Sequence, residues 1–317
     1  MKSTEGKKAP VWLWYGVAVL AVLFAAPNGM IIKLATDDVP AIWVSALRFI
    51  FVAVILLPLI VAAIPKMNRK NLKYSLGAGS AYTVAVISFT QAIELSTATY
   101  VNVVSLGIPA MIMLYSAYLA KERISRRAAA GIGVAALGAF VVIGVPFLAS
   151  NGFALGDINP LATIFSIINV LAFPLTIVLS RRANDEGMPV TVSFGISAII
   201  VSTVSIAVVP LLHVPLPLDA IKAQPTVLIP ILYSALFVSL FARVMTVSAY
   251  PKIGSAAVSG LQYVETFLGI ILPVILLGER MTAAMVIGGV LIILGLIVAE
   301  TKIHPHLHRY RKLGDRH

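Results

Sequence analysis

The chain has 317 residues, 59% hydrophobic and 12% charged, where ordinary soluble domains carry roughly 45–50% and about 25%. No polar block long enough to build a soluble domain interrupts the apolar surplus, so a single membrane domain is the economical reading. The absence of cysteine excludes disulfides, iron–sulfur clusters, thiolate zinc sites and cysteine nucleophiles. The net charge of +11 does not point to nucleic acid, because the basic residues form no continuous stripe or aromatic-interleaved patch and sit between apolar runs.

Runs near the roughly 20 residues that cross a bilayer predict ten helices. The first, 12–34, opens on the interfacial aromatics Trp12 and Trp14 and is interrupted by Pro27-Asn28-Gly29. It is expected to be a retained span and not a cleaved leader, because it continues past Pro27 and its loss would leave an incomplete first unit. Proline removes a backbone donor and glycine relaxes the helix, so the freed carbonyls must be satisfied inside protein or toward water. Asn28 is therefore either a cavity residue or part of an ordinary kink. The second span, 40–64, follows the acidic turn Asp37-Asp38 and carries Arg48. A guanidinium suits a carboxylate or phosphate, yet it can equally snorkel or bond helix-terminal carbonyls.

The third span, 72–95, places Tyr82 in an apolar run, and the fourth, 97–119, holds Tyr100. Inward tyrosines offer a flat face and a hydroxyl, although helix packing is an equal use. Thr99, Asn102, Pro109, Met113 and Ser116 collect on one face of the fourth helix. The fifth span, 126–149, bears Gly131 and Gly138, almost two turns apart on one face. The sixth and seventh spans, 159–180 and 189–213, contribute Pro174, and the eighth, 226–250, contributes Pro230, Tyr233 and Arg243. Both prolines are expected to bend their helices.

The ninth span, 255–277, carries Glu265 about halfway along. An isolated ionised side chain there costs roughly 2.5–3.5 kcal/mol on insertion scales, so it should not face lipid. Ser255, Ser259, Gln262, Thr266 and Gly269 fall within a sector of about 80°, with Glu265 at its edge, and this stripe reads as a wall of an aqueous cavity. Tyr263 lies near it. A carboxyl group in that setting serves proton coupling, or ties two helices together with no part in transport. The tenth span, 282–299, repeats the glycine spacing as Gly288 and Gly295. In the tail, the alternating His304, His306 and His308 with His317 make a poor preformed metal site, so no metal or cofactor is expected. Arg309, Arg311 and Lys312 suit anionic membrane lipid.

Sliding the chain by 157 positions superposes Glu122-Arg123 on Glu279-Arg280, Gly131 on Gly288 and Gly138 on Gly295. A duplicated apolar unit of this size is what many secondary transporters are built from, with the site between the copies. This divides the chain into a first five-helix repeat at 1–150, a second at 151–301 and a basic tail at 302–317. With both ends on one side, 19 Lys and Arg residues fall on that side and only Lys222 and Arg280 in the opposite loops. The expectation is an inner (plasma) membrane protein with both termini cytoplasmic and the two halves inverted. Arg126 and Arg127 of the first repeat are alanines in the second, as loops on opposite faces require. The glycine faces seat the end helices on the bundle or form a homodimer contact.

The tracts LAKERIS and LLGERMT follow helices with Pro109 or Pro273 and lead into glycine-bearing final helices. With Ala46-Leu47-Arg48-Phe49 in the second span, they resemble the paired EamA modules of the drug/metabolite transporter superfamily. One departure is that Pro109 of the first copy aligns with Thr266 in the second. The resemblance implies an all-α fold of ten helices in a five-plus-five inverted arrangement, a central cavity and alternating access for small metabolites. It does not name the substrate, since relatives carry amino acids, sugar phosphates, nucleotide conjugates and cationic drugs. An enzyme is not expected, because no HExxH, Gly-x-Ser-x-Gly or GxxxxGK[ST] motif and no paired catalytic acids are present. The expected activity is export of a small organic solute, an amino acid or an amphipathic relative. Its binding residues are expected among Glu265, Gln262, Asn102, Asn28, Arg48, Tyr263, Tyr100, Thr266, Ser259 and Tyr82, with Glu265 coupling a proton. A lipid-linked flippase or a membrane scaffold is the alternative.

Overall fold

A computed structural model describes residues 10–120, 125–149, 159–253 and 255–300, which form helices and connections with no strand among them. The first apolar run is two helices, α1 (Val11–Ala25) and α2 (Asn28–Thr36), separated at Ala26-Pro27. Then come α3 (Ala41–Ala63) and α4 (Arg69–Glu94). Pro40 in extended conformation starts α3, and a reciprocal Asn68–Asn71 capping box starts α4. The fourth run is also split, into α5 (Ala98–Ser105) and α6 (Ile108–Ala120). It was expected to be one helix, but Pro109 has no N–H to return to Ser105, so the ladder stops there. Next are α7 (Arg126–Ala149), α8 (Pro160–Asp185), α9 (Val190–Leu212) and a short α10 (Leu218–Ala223). The eighth run comprises α11 (Leu228–Tyr233), a π-helical stretch over Ser234–Ala242 and α12 (Arg243–Ile253). The chain ends in α13 (Ser255–Leu276) and α14 (Ala283–Glu300).

Where Pro109 breaks the fourth run, its counterpart Thr266 keeps α13 continuous. Its backbone N–H is available, and its hydroxyl donates to Gln262 O at 3.0 Å. Pro174 sits inside an uninterrupted α8, since a single lost bond can be tolerated within a packed span. Pro230 lies just before the π-helical stretch.

Helix packing reproduces the duplication. The pairing of α4 with α8 has its mate in α1 with α12 and the π-helical stretch. Packing of α6 on α8 is matched by α13 on α1, and that of α4 on α9 by the π-helical stretch on α3. The pairs α3 with α9, α5 with α13 and α7 with α14 join equivalent spans. The last of these fixes orientation. A methyl added to Gly138 would lie 2.6 Å from Gly288 O and 2.7 Å from Ile292 N, and one on Gly131 would lie 2.6 Å from Ala299 N and against Gly295 O. As α7 advances from Gly131 to Gly138, its contacts on α14 retreat from Gly295 to Gly288. Equivalent helices therefore run antiparallel, and the two repeats are inverted. Because these glycines meet within one chain, bare Cα atoms allowing close backbone approach, their faces are not free for a dimer contact. Ser125 Oγ accepts from Ala128 N at 3.1 Å and Thr282 Oγ1 from Met285 N at 3.2 Å, the same cap in each copy.

The buried core joins the repeats. One cluster contains Tyr100, Val104, Leu106, Ile270, Ile292 and Leu296. A second contains Phe49, Val52, Tyr82, Phe194 and Val201. Outward positions stay large and apolar, with Val54 64%, Leu137 63% and Leu294 50% exposed. That apolar girdle suits acyl chains and not water. Among the described residues, eight helical runs, from Val11–Thr36 to Pro225–Ala249, are long and apolar enough to cross a bilayer, while Val264–Leu276 and Ala283–Ala299 are shorter apolar helices. The chain is a polytopic all-α integral membrane protein.

Candidate functional site

Three elements from both repeats converge where the first run breaks. Pro27 cannot bond back to Leu23, so α1 ends and α2 restarts at Asn28. Gly29 is buried against Asn102 of α5, whose Nδ2 would lie 2.6 Å from any Cβ placed there. That same Nδ2 donates to Gly269 O of α13 at 2.6 Å. A Cβ on Gly269 would in turn lie 3.2 Å from Ala26 O. Asn102 thus bridges the broken helix of one repeat and the ninth span of the other, and a side chain at position 29 would displace the Asn102 amide while one at 269 would crowd Ala26 O.

Around this junction the polar contacts are long. Ser234 Oγ donates to Asn28 Oδ1 at 3.5 Å, and Tyr233 OH donates to Phe24 O at 3.4 Å. Such distances give weak bonds that can be exchanged for a solute or water. The ring of Phe237 packs on Phe24 and stacks on Tyr233, with centroids 5.1 and 5.0 Å apart. Ser234, Phe237 and Ser239 all belong to the nine-residue π-helical stretch. Wide π turns are uncommon and are frequent at functional sites.

Glu265 is half-buried on α13, one turn before Gly269, and makes no hydrogen bond or ion pair with the described residues. Thr266 is also half-buried, with its hydroxyl turned back to the helix, and Gln262 is exposed. The side chains of Ser259 and Tyr263 lie outside those described. Tyr100 is 1% exposed, and its hydroxyl meets Thr163 Oγ1 at 2.8 Å, so it packs α5 on α8 and does not line an open cavity. Tyr82 sits within an aromatic cluster, edge-on to Phe49 at 5.5 Å and to Phe194 at 5.8 Å. Arg48 is buried, with Nε donating to Ser239 Oγ at 2.9 Å and its guanidinium 5.2 Å from the Phe49 ring centroid. Asn28, Asn102, Gly269 and Glu265 therefore share one seam, Arg48 joins it through the π-helical stretch, and Tyr82 and Tyr100 stand in the packing behind it.

Sequence reasoning had not assigned functions to Ser234, Ser239 or Glu279. The Glu279 carboxylate accepts from Ala98 N at 2.9 Å and Thr99 N at 2.7 Å, capping α5 of the opposite repeat. Its recurrence at matching positions of both copies was the available signal. Gly278, with φ 68°, turns the chain off α13 and delivers it there. Its partner Glu122, with Arg123, lies outside the described residues.

The family model of the EamA-like transporter family matches residues 12–144 and 160–301, one match per repeat. The comparison with curated proteins gives no match. Among solved structures, one described only as "Crystal structure of protein" is similar over 95% of this chain and 99% of its own, with TM-score 0.57 and 17% identity. That likeness concerns the fold alone.

Proposed function

Because this chain belongs to the EamA-like transporter family, we propose that it is a secondary carrier that exports a small organic solute, an amino acid or amphipathic relative, by alternating access. The observation that carries this is the half-buried Glu265, without a partner among the described residues, one turn from the Asn102–Gly269 bond that joins the repeats. Broken helices at such a seam release backbone polar groups at the depth where solute sites of inverted-repeat carriers form. Rocking one repeat against the other about the antiparallel α7 and α14 pair would expose the seam to each face in turn. A carboxylate there takes up a proton on one side and yields it on the other. The excess of Lys and Arg on one face supports a cytoplasmic side for the termini.

The test is counterflow in proteoliposomes loaded with a mixture of amino acids and aromatic organic acids, read at one external pH below neutrality and one above. The parent should show pH-dependent exchange, and Glu265→Gln should lose the pH response while still folding. A variant with the parent's pH profile would refute the coupling role. Absence of exchange by the parent, with lipid scrambling in its place, would favour the flippase alternative.

A further inference from the structure

Two arginines in the helices of this membrane protein form no ion pair with the described residues. Arg48 on α3 is 6% exposed, and Ser239 Oγ is its one hydrogen-bond acceptor among the described residues. Arg243, one turn beyond Ser239, is partly buried, and its buried Nε has no partner among the described residues. The only ion pair among the described residues is Lys33 with Asp37, at 3.9 Å. An unpaired buried charge is costly, and membrane chains keep such charges where an interior pathway or ligand needs them. Snorkelling does not account for Arg48, since a snorkelled head group would be exposed.

Both arginines are held on aromatic faces. Arg243 stands 4.3 Å from the Phe194 ring centroid, and Arg48 stands over Phe49. These two rings are the edge partners of Tyr82, so one buried aromatic cluster supports both guanidinium groups, one from each repeat. Cation–π contact orients the planes and leaves their donor forks unspent. Arg243 and Ser239 also line a narrow apolar cleft with Leu56, Leu240 and Val244, whose free space of about 10 Å³ takes no more than a water. Arg243 reaches in addition a cavity of about 280 Å³ bordered by Ser180, Asn184 and Asp185 at the end of α8. Small-molecule pockets begin near 300 Å³. The cavity lies at the face that carries Arg181 and Arg182, the cytoplasmic one under the orientation proposed above.

We propose that Arg243, with Arg48 joined to it through Ser239, holds the anionic group, a carboxylate or phosphate, of an amphipathic solute that enters by this cavity and rests its apolar part there against Ile177 and Val190. This rests on the carrier reading and narrows its substrate class to organic acids and acidic amphiphiles. Ser234, on Asn28, and Ser239, on Arg48, are about one π turn apart, so the anion site adjoins the broken-helix seam. Bidentate recognition of the anion completes the hydrogen bonding that the protein leaves open.

The test uses the purified full chain in phosphatidylcholine nanodiscs, with thermal stability measured against benzoate and phenyl phosphate, and against benzyl alcohol and benzylamine as neutral and cationic counterparts. The two anions should raise Tm and the counterparts should not. Arg48→Gln and Arg243→Gln should weaken the anion response at least about tenfold. The ligand-free Tm of Arg48→Gln should equal or exceed the parent's, since it removes a buried charge that has no ion partner, and that of the partly buried Arg243→Gln should stay near the parent's. Arg243→Lys, which keeps charge but not the fork, should respond between parent and Gln variant. A fall in ligand-free Tm with an unchanged anion response would assign the arginines to structure and overturn the proposal. So would no response to either anion, or a response reproduced by phosphatidylglycerol in their place. Counterflow that depends on Glu265 yet ignores both arginine changes would remove the anion site and leave the carrier. An anion response without flux would do the reverse.

Discussion

Replacing Glu279 tests how the repeats are tied together. In Glu279→Ala, the amides of Ala98 and Thr99 lose acceptors now at 2.9 and 2.7 Å, while Tyr100 N keeps Thr97 Oγ1 at 3.1 Å. Hydrogen bonds to a charged group contribute about 1.5–3 kcal/mol each, and an N-cap contributes about 0.5–2 kcal/mol. Glu279 is only half-buried, so water recovers part of the loss, and the expected cost is about 2–3 kcal/mol. Glu279→Gln keeps an acceptor and loses the interaction with the positive end of α5, for about 1 kcal/mol. At roughly 2–4 °C per kcal/mol, thermal melting in a mild detergent should fall by about 4 °C or more for the alanine variant and less for the glutamine variant. Melting of Glu279→Ala within error of the parent, with Thr97→Ala clearly lower, would show that Glu279 does not hold α5.

Gly138→Ala should cost about 1–3 kcal/mol in a melting experiment, because its methyl meets the backbone of Gly288 and Ile292, whereas Gly133→Ala, with nothing within 4 Å, should be neutral. Gly29→Ala should lower both stability and exchange by forcing Asn102 aside, and adding Asn102→Ala should restore part of the stability but not the exchange, read by melting and counterflow on the double variant. Tyr100→Phe should lose about 1 kcal/mol with the Thr163 contact while counterflow stays at the parent level, as suits a tyrosine in the packing.

Much of this architecture is written in local patterns. Apolar runs bounded by charge mark the spans, and the matching glycines at 131, 138, 288 and 295 mark faces of close backbone approach, because both follow from short stretches of chain, whereas the mutual antiparallel pairing of those faces came from the structure. The split at Pro109 was equally local, yet proline in a membrane helix is often tolerated, as at Pro174, so its effect depended on the surroundings. Ser239 and Arg48 are 191 positions apart, and no spacing rule joins them. The π-helical stretch likewise has no composition that sets it apart from α-helix. Glu265 stood out through the cost of its charge, whereas Tyr82 and Tyr100 did not reveal that packing had claimed them.

The inversion of the two repeats, on which a seam between them depends, is tested most directly by labelling equivalent positions. The chain contains no cysteine, so Ser125→Cys and Thr282→Cys each give one thiol, at exposed caps 157 residues apart. A membrane-impermeant maleimide applied to right-side-out and inside-out vesicles should label the two variants from opposite faces. Labelling of both from the same face would contradict the account.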